Sequence, residues 1–234
     1  MTELLKDKIA LVTGASRGIG ASVAKAYARE GAHVILLGRT IGALEEVDDH
    51  IRGAGGQSTI MPVDLMDIDA LSTMGPTIFE KFGGLDIWVA NAGVLGTLRP
   101  LAQTPPKEWH EVMTVNLMAN FHMLRSLDPL LRASKAGRAL FLASGVVPRP
   151  RAYWGAYTAS KAALESIATT YAFETEKTNL RVNIVDPGRV RTTMRAQAYP
   201  GENPDECPHP DEIVRIFLEL ASPSCSKHGE RVSV

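Results

Sequence analysis

The side chains with the clearest chemical potential are a tyrosine and a lysine four positions apart. Tyr157 and Lys161 lie in a stretch with helical spacing, and an i, i+4 separation places both on one face of a helix. A tyrosine hydroxyl ordinarily titrates near pH ~10, and a neighbouring ammonium lowers that pKa because it stabilises the phenolate. The pair predicts general acid/base chemistry in which Tyr157 moves the proton. By itself, this spacing is more often found between surface residues.

A serine upstream of the pair strengthens this interpretation. Ser144 lies thirteen positions before Tyr157 and directly follows a predicted strand at 139–143. The carboxyl ends of parallel strands form the ligand crevice of an open α/β sheet. We therefore expect the Ser144 hydroxyl to bind the reacting oxygen and hold it in line with Tyr157. The alternative is that Ser144 only begins a turn.

A glycine-rich segment follows the first predicted strand. The sequence TGASRGIG at 13–20 has the spacing G-x-x-x-G-x-G and runs into a helical stretch at 21–30. Glycines let the backbone approach a pyrophosphate, and a helix N-terminus offers unpaired N–H groups with a favourable dipole. The segment predicts a dinucleotide site or, alternatively, a tight turn without a ligand. The residues predicted to contact the cofactor are Gly14, Ser16, Arg17, Gly18, Ile19 and Gly20.

The end of the second predicted strand indicates which dinucleotide is preferred. Proteins that prefer NAD usually carry an acid there, which binds the ribose 2′-hydroxyl, whereas this chain has Gly38 followed by Arg39. Arg39 and Arg17 are suited to bind a 2′-phosphate through charge-assisted hydrogen bonds. We predict NADP(H) in preference to NAD(H), the alternative being that both arginines are merely solvated. Asp64, after the third strand, either accepts a bond from the adenine amino group or caps the next helix.

These residues require a scaffold that brings strand ends together. Short apolar runs rich in Val, Ile and Leu alternate with helical stretches, a pattern typical of a parallel sheet covered by helices on both faces. We predict a Rossmann-type, doubly wound α/β sandwich in one domain over residues 1–234, with helices at 108–131, 155–176 and 211–220. A segment rich in Pro, Gly and charge at 189–210 is predicted to be a long substrate loop. The predicted strands are 8–13, 33–38, 59–63, 85–90, 139–143, 181–185 and 230–234.

With these motifs in order along nearly the whole chain, the sequence resembles the short-chain dehydrogenase/reductase family. Further matches are Asn116 and the segments Asn91-Ala92-Gly93 and Pro187-Gly188-Arg189-Val190-Arg191-Thr192, which follow the fourth and sixth strands. The resemblance implies that Asn91, Ala92 and Gly93 shape the floor under the adenosine ribose. It implies that Asn116 holds a water in a proton relay to Lys161. The nicotinamide is then bordered by Pro187, Gly188, Val190 and Thr192.

The reaction that the resemblance implies is hydride transfer between nicotinamide C4 and a carbonyl or secondary alcohol carbon. Tyr157 protonates or deprotonates the substrate oxygen. The stretches 154–157, 191–196 and 199–200 further resemble a bacterial branch of the family, the YciK-like oxidoreductases. Two other functions stay open, namely nucleotide sensing without turnover and dehydration or epimerisation on the same scaffold. Relatives often assemble through the Asn116 and Tyr157 helices, so a homodimer or homotetramer is expected.

The composition of the chain indicates which classes of binding partner to expect. The chain has 25 basic and 26 acidic residues, a formal charge of -1, and no basic cluster that predicts a nucleic-acid or membrane partner. No apolar run approaches the roughly 20 residues of a membrane span. A cytoplasmic protein that acts on a small-molecule carbonyl or alcohol is expected. No metal is expected, because the spacing of four zinc-type side chains matches no finger pattern: Cys207, His209, Cys225 and His228.

Arginines flank the catalytic positions on both sides in sequence. If they line the pocket, an acidic or phosphorylated substrate is favoured. Alternatively, they are solvated or form subunit contacts, where arginine is enriched. These arginines are Arg149, Arg151, Arg189, Arg191 and Arg195, and the aromatic residues Tyr153 and Trp154 flank the catalytic positions with them.

Overall fold

Seven strands form the scaffold in the computed structural model, which describes residues 3–234. The strands are β1 (Ile9–Thr13), β2 (His33–Gly38), β3 (Gln57–Pro62), β4 (Ile87–Ala90), β5 (Arg138–Leu142), β6 (Arg181–Asp186) and β7 (Arg231–Ser233). They pair in parallel in the order β3-β2-β1-β4-β5-β6-β7. The predicted doubly wound parallel sheet is therefore confirmed, and every strand end lies within two residues of its predicted position.

Helices cover both faces of this sheet. They are α1 (Gly18–Arg29), α2 (Ile41–Gly53), α3 (Ile68–Ser72), α4 (Met74–Phe82), α5 (Pro106–Met113), α6 (Ala119–Ala133), α7 (Gly155–Thr175), α8 (Thr193–Ala198) and α9 (Val214–Ala221). None of the helices in residues 3–234 combines the length and apolar character needed to cross a membrane.

Successive side chains of the central strands enter two separate cores, because side chains alternate between the faces of a sheet. In β1, Val12 joins Tyr27 of α1 and Phe217 of α9, whereas Leu11 joins Ile78 of α4 on the opposite face. All four of these apolar residues and the Tyr27 ring are buried. Burial on both faces explains why the strands are nearly continuous apolar runs.

The order of the strands reverses beside β1. From β1 the chain moves outward to β2 and β3, and it then returns to place β4 on the other side of β1. Val12 accordingly pairs with Leu36 on one side and Val89 on the other. Ligands of open α/β sheets bind outside the carboxyl ends of the strands at such a reversal. The loops that follow β1 and β4 meet there.

The continuous helix predicted at 108–131 is wrong in its middle. The structure has α5, a π-helical turn over Thr114–Met118, and then α6. Asn116 lies at the centre of this turn and its side chain bonds to residues outside the helix. Single π turns inserted into helices disturb the regular backbone ladder and are frequent at functional sites. The apolar periodicity at 112–124 continues across the insertion, so the sequence pattern does not reveal it.

The segment at 189–210 is also more regular than the predicted loop. It contains α8 and two 3₁₀ turns, Pro204–Glu206 and Pro210–Glu212. Thr192 begins α8, and its hydroxyl accepts the N–H of Arg195 at 3.1 Å. This cap satisfies one of the amide groups that a helix start leaves unpaired. A short helix is thus held over the end of the sheet.

Candidate active site

A cavity of about 620 Å³ lies at the carboxyl ends of the strands. This volume falls within the usual range for small-molecule sites. The predicted residues on its wall are Gly14, Ser16, Arg17, Gly18, Ile19, Arg39, Asp64, Asn91, Ala92, Gly93, Ser144, Tyr157, Lys161, Pro187, Gly188, Val190 and Thr192. Gly20 and Asn116 are buried outside that wall.

The glycine loop forms one end of the cavity. Gly14 and Gly18 have φ angles of 64° and 55°, in the left-handed region that favours glycine. A Cβ on Gly20 would lie 2.2 Å from the Gly14 carbonyl oxygen, so this glycine permits close packing of the loop on α1. Helix α1 begins at Gly18, and its N-cap residue Arg17 supplies no side-chain acceptor to the first turn. The exposed amide groups and the helix dipole suit an anionic group such as a pyrophosphate.

Asn91 holds this loop from the neighbouring strand end. Its side-chain amide donates to the Thr13 carbonyl at 2.7 Å and to the Gly14 carbonyl at 3.3 Å. In return, the Thr13 hydroxyl accepts the N–H groups of Asn91 and Ala92, each at 3.0 Å. Thr13 is fully buried and was missed as a functional residue. Its position directly before the first glycine is the signal that would have found it.

Arg17 and Arg39 are exposed at the same end of the cavity. Within residues 3–234, neither guanidinium takes part in a salt bridge. Asp64 also faces this end, and its carboxylate accepts the Met66 N–H at 3.0 Å within a turn. The cap of α3 is Asp67 instead, so the alternative that Asp64 caps the next helix is wrong. The deciding factor is the turn at 64–67, which delays the helix by three residues.

Ser144 and Tyr157 meet on the opposite side of the cavity. Helix α7 begins at Gly155, so Tyr157 lies in its first turn, and 8% of this residue is exposed. Burial raises the pKa of Tyr157 to about 12, a hydrogen bond with Ser144 lowers it, and the Asp186 carboxylate raises it. Burial is the largest of these influences on the pKa of Tyr157, and the expected lowering by Lys161 stays a prediction. The hydroxyl keeps its proton at neutral pH.

Lys161 lies one turn later on α7 and is buried. Its Nζ donates to the Leu142 carbonyl at the end of β5, at 2.7 Å, and lies 6.0 Å from the centroid of the Tyr157 ring. Burial lowers the pKa of Lys161 to about 8, and the Glu165 carboxylate opposes that shift. The ammonium form therefore prevails at pH 7 and is lost as the pH rises through about 8.

Asn116 is buried outside the lining of the cavity, where its side chain makes three hydrogen bonds. Its side-chain oxygen accepts the Val94 N–H at 2.8 Å, and its amide donates to the Val94 carbonyl at 2.9 Å and to the Ser160 hydroxyl at 3.0 Å. These bonds join the π turn to α7 and to the loop after β4. A Cβ on Gly93 would lie 3.2 Å from Asn116 Oδ1 and 3.6 Å from Lys161 Nζ. Asn116 is thus placed as a positioning residue, and its relay role stays a prediction.

An ionic network that the sequence did not indicate lies beneath Ser144 and Tyr157. Arg231 of β7 donates to Asp186 at 2.9 Å, to the Ser144 carbonyl at 3.2 Å and to Glu165 at 3.4 Å. Asp186 also accepts the Gly188 N–H at 3.1 Å. One guanidinium therefore joins the ends of β5 and β6 to α7. Asp186 and Arg231 are 45 positions apart, so no local pattern reveals the pair.

The two histidines among the four zinc-type side chains have other partners. His228 accepts the Val182 N–H at 3.2 Å and bonds to the Ala172 carbonyl at 2.8 Å, while His209 lies 3.3 Å from Asp211. Cys207 and Cys225 are free thiols. Within residues 3–234, no group of three or more His, Cys, Asp and Glu side chains is arranged to hold a metal ion.

Known proteins are similar to this chain in sequence and in fold. A family model described as short chain dehydrogenase matches residues 8–203. The uncharacterized oxidoreductase YciK of Escherichia coli strain K12 is 42% identical over 221 residues, which are 93% of this chain and 87% of that protein. The resemblance to the YciK-like branch is therefore confirmed.

Two solved structures are similar over the whole chain, each at 40% identity with a TM-score of 0.95. One is a Shigella flexneri 2a protein assigned to the short chain dehydrogenases and complexed with NADP. The alignment with it covers 100% of this chain and 99% of the Shigella protein. The other, with the same assignment, is from Escherichia coli CFT073 and is complexed with NADPH. The alignment with it covers 100% of this chain and 98% of the Escherichia coli protein. Sequence, fold and site geometry agree, and this chain belongs to the short-chain dehydrogenase/reductase family of oxidoreductases.

Proposed function

We propose that this chain is an NADP(H)-dependent oxidoreductase that interconverts a carbonyl compound and its alcohol, with Tyr157 as the general acid/base. The observation that carries the proposal is the convergence of Ser144, Tyr157 and Lys161 on a cavity whose other end is the glycine loop. The complexes of the two solved relatives with NADP and NADPH support the choice of cofactor.

The residues on the wall divide by the part of the cofactor that they suit. The first turn of α1 suits the pyrophosphate, Arg17 and Arg39 suit the 2′-phosphate, and Asp64 suits the adenine amino group. Asn91, Ala92 and Gly93 would lie beneath the adenosine ribose. The residues that would contact the nicotinamide and its ribose are Tyr157, Lys161, Pro187, Gly188, Val190 and Thr192.

When bound, the reduced cofactor supplies a hydride to the carbonyl carbon and becomes oxidised. Ser144 donates a hydrogen bond to the carbonyl oxygen, which polarises the C=O bond and orients it. Tyr157 then transfers its hydroxyl proton to that oxygen, so the product is the neutral alcohol. The Lys161 ammonium stabilises the resulting phenolate until a solvent proton replaces the one transferred. In the oxidation direction each proton step runs in reverse.

The test is a turnover panel with the purified chain. NADPH is mixed with ketones, aldehydes, diketones and β-keto thioesters, and we expect its consumption to match alcohol formation for at least one class. NADPH binding without consumption by any carbonyl, and without NADP⁺ reduction by the corresponding alcohols, would show a nucleotide sensor instead. Formation of an alkene or an epimer without net NADPH consumption would indicate dehydration or epimerisation.

Arg231 provides a prediction about pH dependence. In Arg231→Leu, the carboxylates of Asp186 and Glu165 lose their shared cation close to Tyr157 and Lys161. Added negative charge favours the protonated forms, so the pKa values of both groups rise. Lys161 has the lower pKa, about 8, and therefore limits activity first on the alkaline side. We expect the alkaline limb of kcat/KM for reduction to move upward by about one pH unit.

The matched control is Lys227→Leu, which removes a cation from an exposed pair with Glu219. Arg231→Lys keeps the charge and should restore much of the wild-type profile. An alkaline limb that stays in place or moves downward in Arg231→Leu would contradict the role of this network.

A further inference from the structure

Apolar side chains surround the part of the cavity next to Tyr157. Leu95, Trp154, Met194 and Ala198 line the wall, and they belong to the hydrophobic cluster that contains Tyr157. Leu95 comes from the loop after β4, Trp154 directly precedes α7, and the other two lie on α8. The group next to the reacting carbon is therefore expected to be apolar, because desolvating a polar group without a partner is costly.

A row of aromatic rings extends from the reaction centre. The Trp154 ring meets the Tyr157 ring edge-on at 5.8 Å, and it also lies 5.9 Å from the Tyr199 ring in a tilted arrangement. Arg151 donates a hydrogen bond to the Tyr199 hydroxyl, and the guanidinium of Arg195 lies 3.8 Å from the Tyr199 ring centroid. Trp154 and Tyr157 line the cavity, and Tyr199 supports Trp154 from outside the lining in a geometry that aromatic pairs prefer.

The cation on this wall is already neutralised. Arg195 lines the cavity, and Glu202 accepts both of its hydrogen bonds, at 2.5 Å each. Glu202 also lies 3.7 Å from Arg189 and accepts a bond from the Cys207 thiol at 3.3 Å. The hydrogen bond with Arg195 lowers the pKa of Glu202 to about 2, so this acid stays charged at any working pH.

The other flanking arginines do not supply a free cation to the wall. Arg191 pairs with Asp205 at 3.1 Å. Among the described arginines that flank the catalytic positions in sequence, Arg195 is the one that lines the cavity. An anionic substrate would therefore gain no unpaired arginine on this wall, because Glu202 already occupies the guanidinium of Arg195.

We propose that the substrate is a neutral ketone or aldehyde with an aromatic or comparable apolar substituent, and that Glu202 determines this specificity by neutralising Arg195. The proposal rests on the proposed function, because it concerns the substrate of that same site. Specificity can arise by disfavouring the wrong ligand. Here a substrate carboxylate is disfavoured because Arg195 is already paired with Glu202 and cannot bind it.

The test uses two aryl ketones that differ in one charge and one methyl group, methyl 4-acetylbenzoate and 4-acetylbenzoate. Dissociation constants are measured by calorimetry on the protein with NADP⁺, and kcat/KM is measured with NADPH. We expect the wild type to favour the neutral ester by about tenfold or more. Glu202→Gln keeps the shape but frees the Arg195 cation, so the ratio should move toward the acid by about tenfold, as expected for one charge-assisted hydrogen bond.

Glu206→Gln is the matched control, because Glu206 is exposed in the same segment, whereas the salt bridge of Arg195 is formed with Glu202. Adding Arg195→Gln to Glu202→Gln removes the freed cation and should return the ratio toward the wild-type value, which separates charge from loss of folding. Wild-type preference for the acid, failure to bind either probe, or an unchanged ratio in Glu202→Gln would overturn the proposal. Ester binding with the predicted charge preference but without turnover would instead contradict the proposed reaction.

Discussion

Replacing Tyr157 by phenylalanine is expected to lower kcat for carbonyl reduction by about 10²–10⁴-fold, the usual contribution of a general acid. The change removes one hydroxyl from a buried ring that keeps its contact with Trp154. With a pKa of about 12, the hydroxyl is protonated across the neutral range, so the wild type holds the proton that reduction needs. Cofactor affinity should change far less than turnover, because the glycine loop and the arginines are untouched.

The measurement is NADPH consumption under single-turnover conditions, together with fluorescence titration of NADPH. Tyr153→Phe is the control, since Tyr153 lies just before α7 with most of its surface exposed. It makes the same chemical change without touching the cavity wall. Turnover that survives in Tyr157→Phe would refute the assignment of this acid.

Arg39→Asp is expected to reverse the preference between the two cofactors. The guanidinium is exposed beside the cavity and has no salt-bridge partner among residues 3–234, so it is free to bind a 2′-phosphate. A hydrogen bond to a charged group contributes about 1.5–3 kcal/mol, so its loss weakens NADPH binding by roughly 10–100-fold. An acid there repels the phosphate and can accept a bond from the NADH ribose hydroxyl. The ratio of affinities should therefore change by about 100-fold or more.

Dissociation constants for NADPH and NADH are obtained from the fluorescence of each cofactor. Lys177→Asp makes the same charge change at an exposed position outside the cavity wall and should leave the ratio unaltered. Arg17→Ala should weaken NADPH selectively, though without improving NADH. If the unmodified chain binds NADH more tightly than NADPH, the cofactor assignment is wrong.

The regular fold was predictable because its signals are local. Each strand is a short apolar run buried on both faces, and the glycines at 14 and 18 occupy left-handed backbone positions that few other residues adopt. The pairing of Tyr157 with Lys161 follows from the period of one helix. The π turn at Asn116 was not predictable, because its cause is a set of bonds to Val94 and Ser160 rather than a local preference.

The ion pairs around the site, unlike the regular fold, could not be predicted from the sequence. The sequence gives the positions of the arginines, but whether each one is paired with a carboxylate depends on the residues that the fold brings close to it. Glu202 reaches Arg195 because the chain turns after α8, where the Tyr199 N–H donates to the Arg195 carbonyl and the Glu202 N–H donates to the Tyr199 carbonyl. Arg231 reaches Asp186 because β7 pairs with β6. Neither contact has a sequence signature, and each changes the electrostatics next to Tyr157 or on the pocket wall.

By itself, the sequence determined the sheet, the helices around it and the chemical types that gather at the strand ends. Those properties depend on backbone preferences and apolar periodicity, which act over a few residues. Assembly as a homodimer or homotetramer stays a prediction. Only the tertiary structure decided how Tyr157 and Lys161 titrate, because desolvation depends on residues distant in the chain. It also decided that Arg195 is paired, because Glu202, seven positions away, is brought to it by a turn. The wall formed by Leu95, Trp154, Met194 and Ala198 is therefore apolar and has no unpaired arginine, despite the many arginines in its flanking sequence.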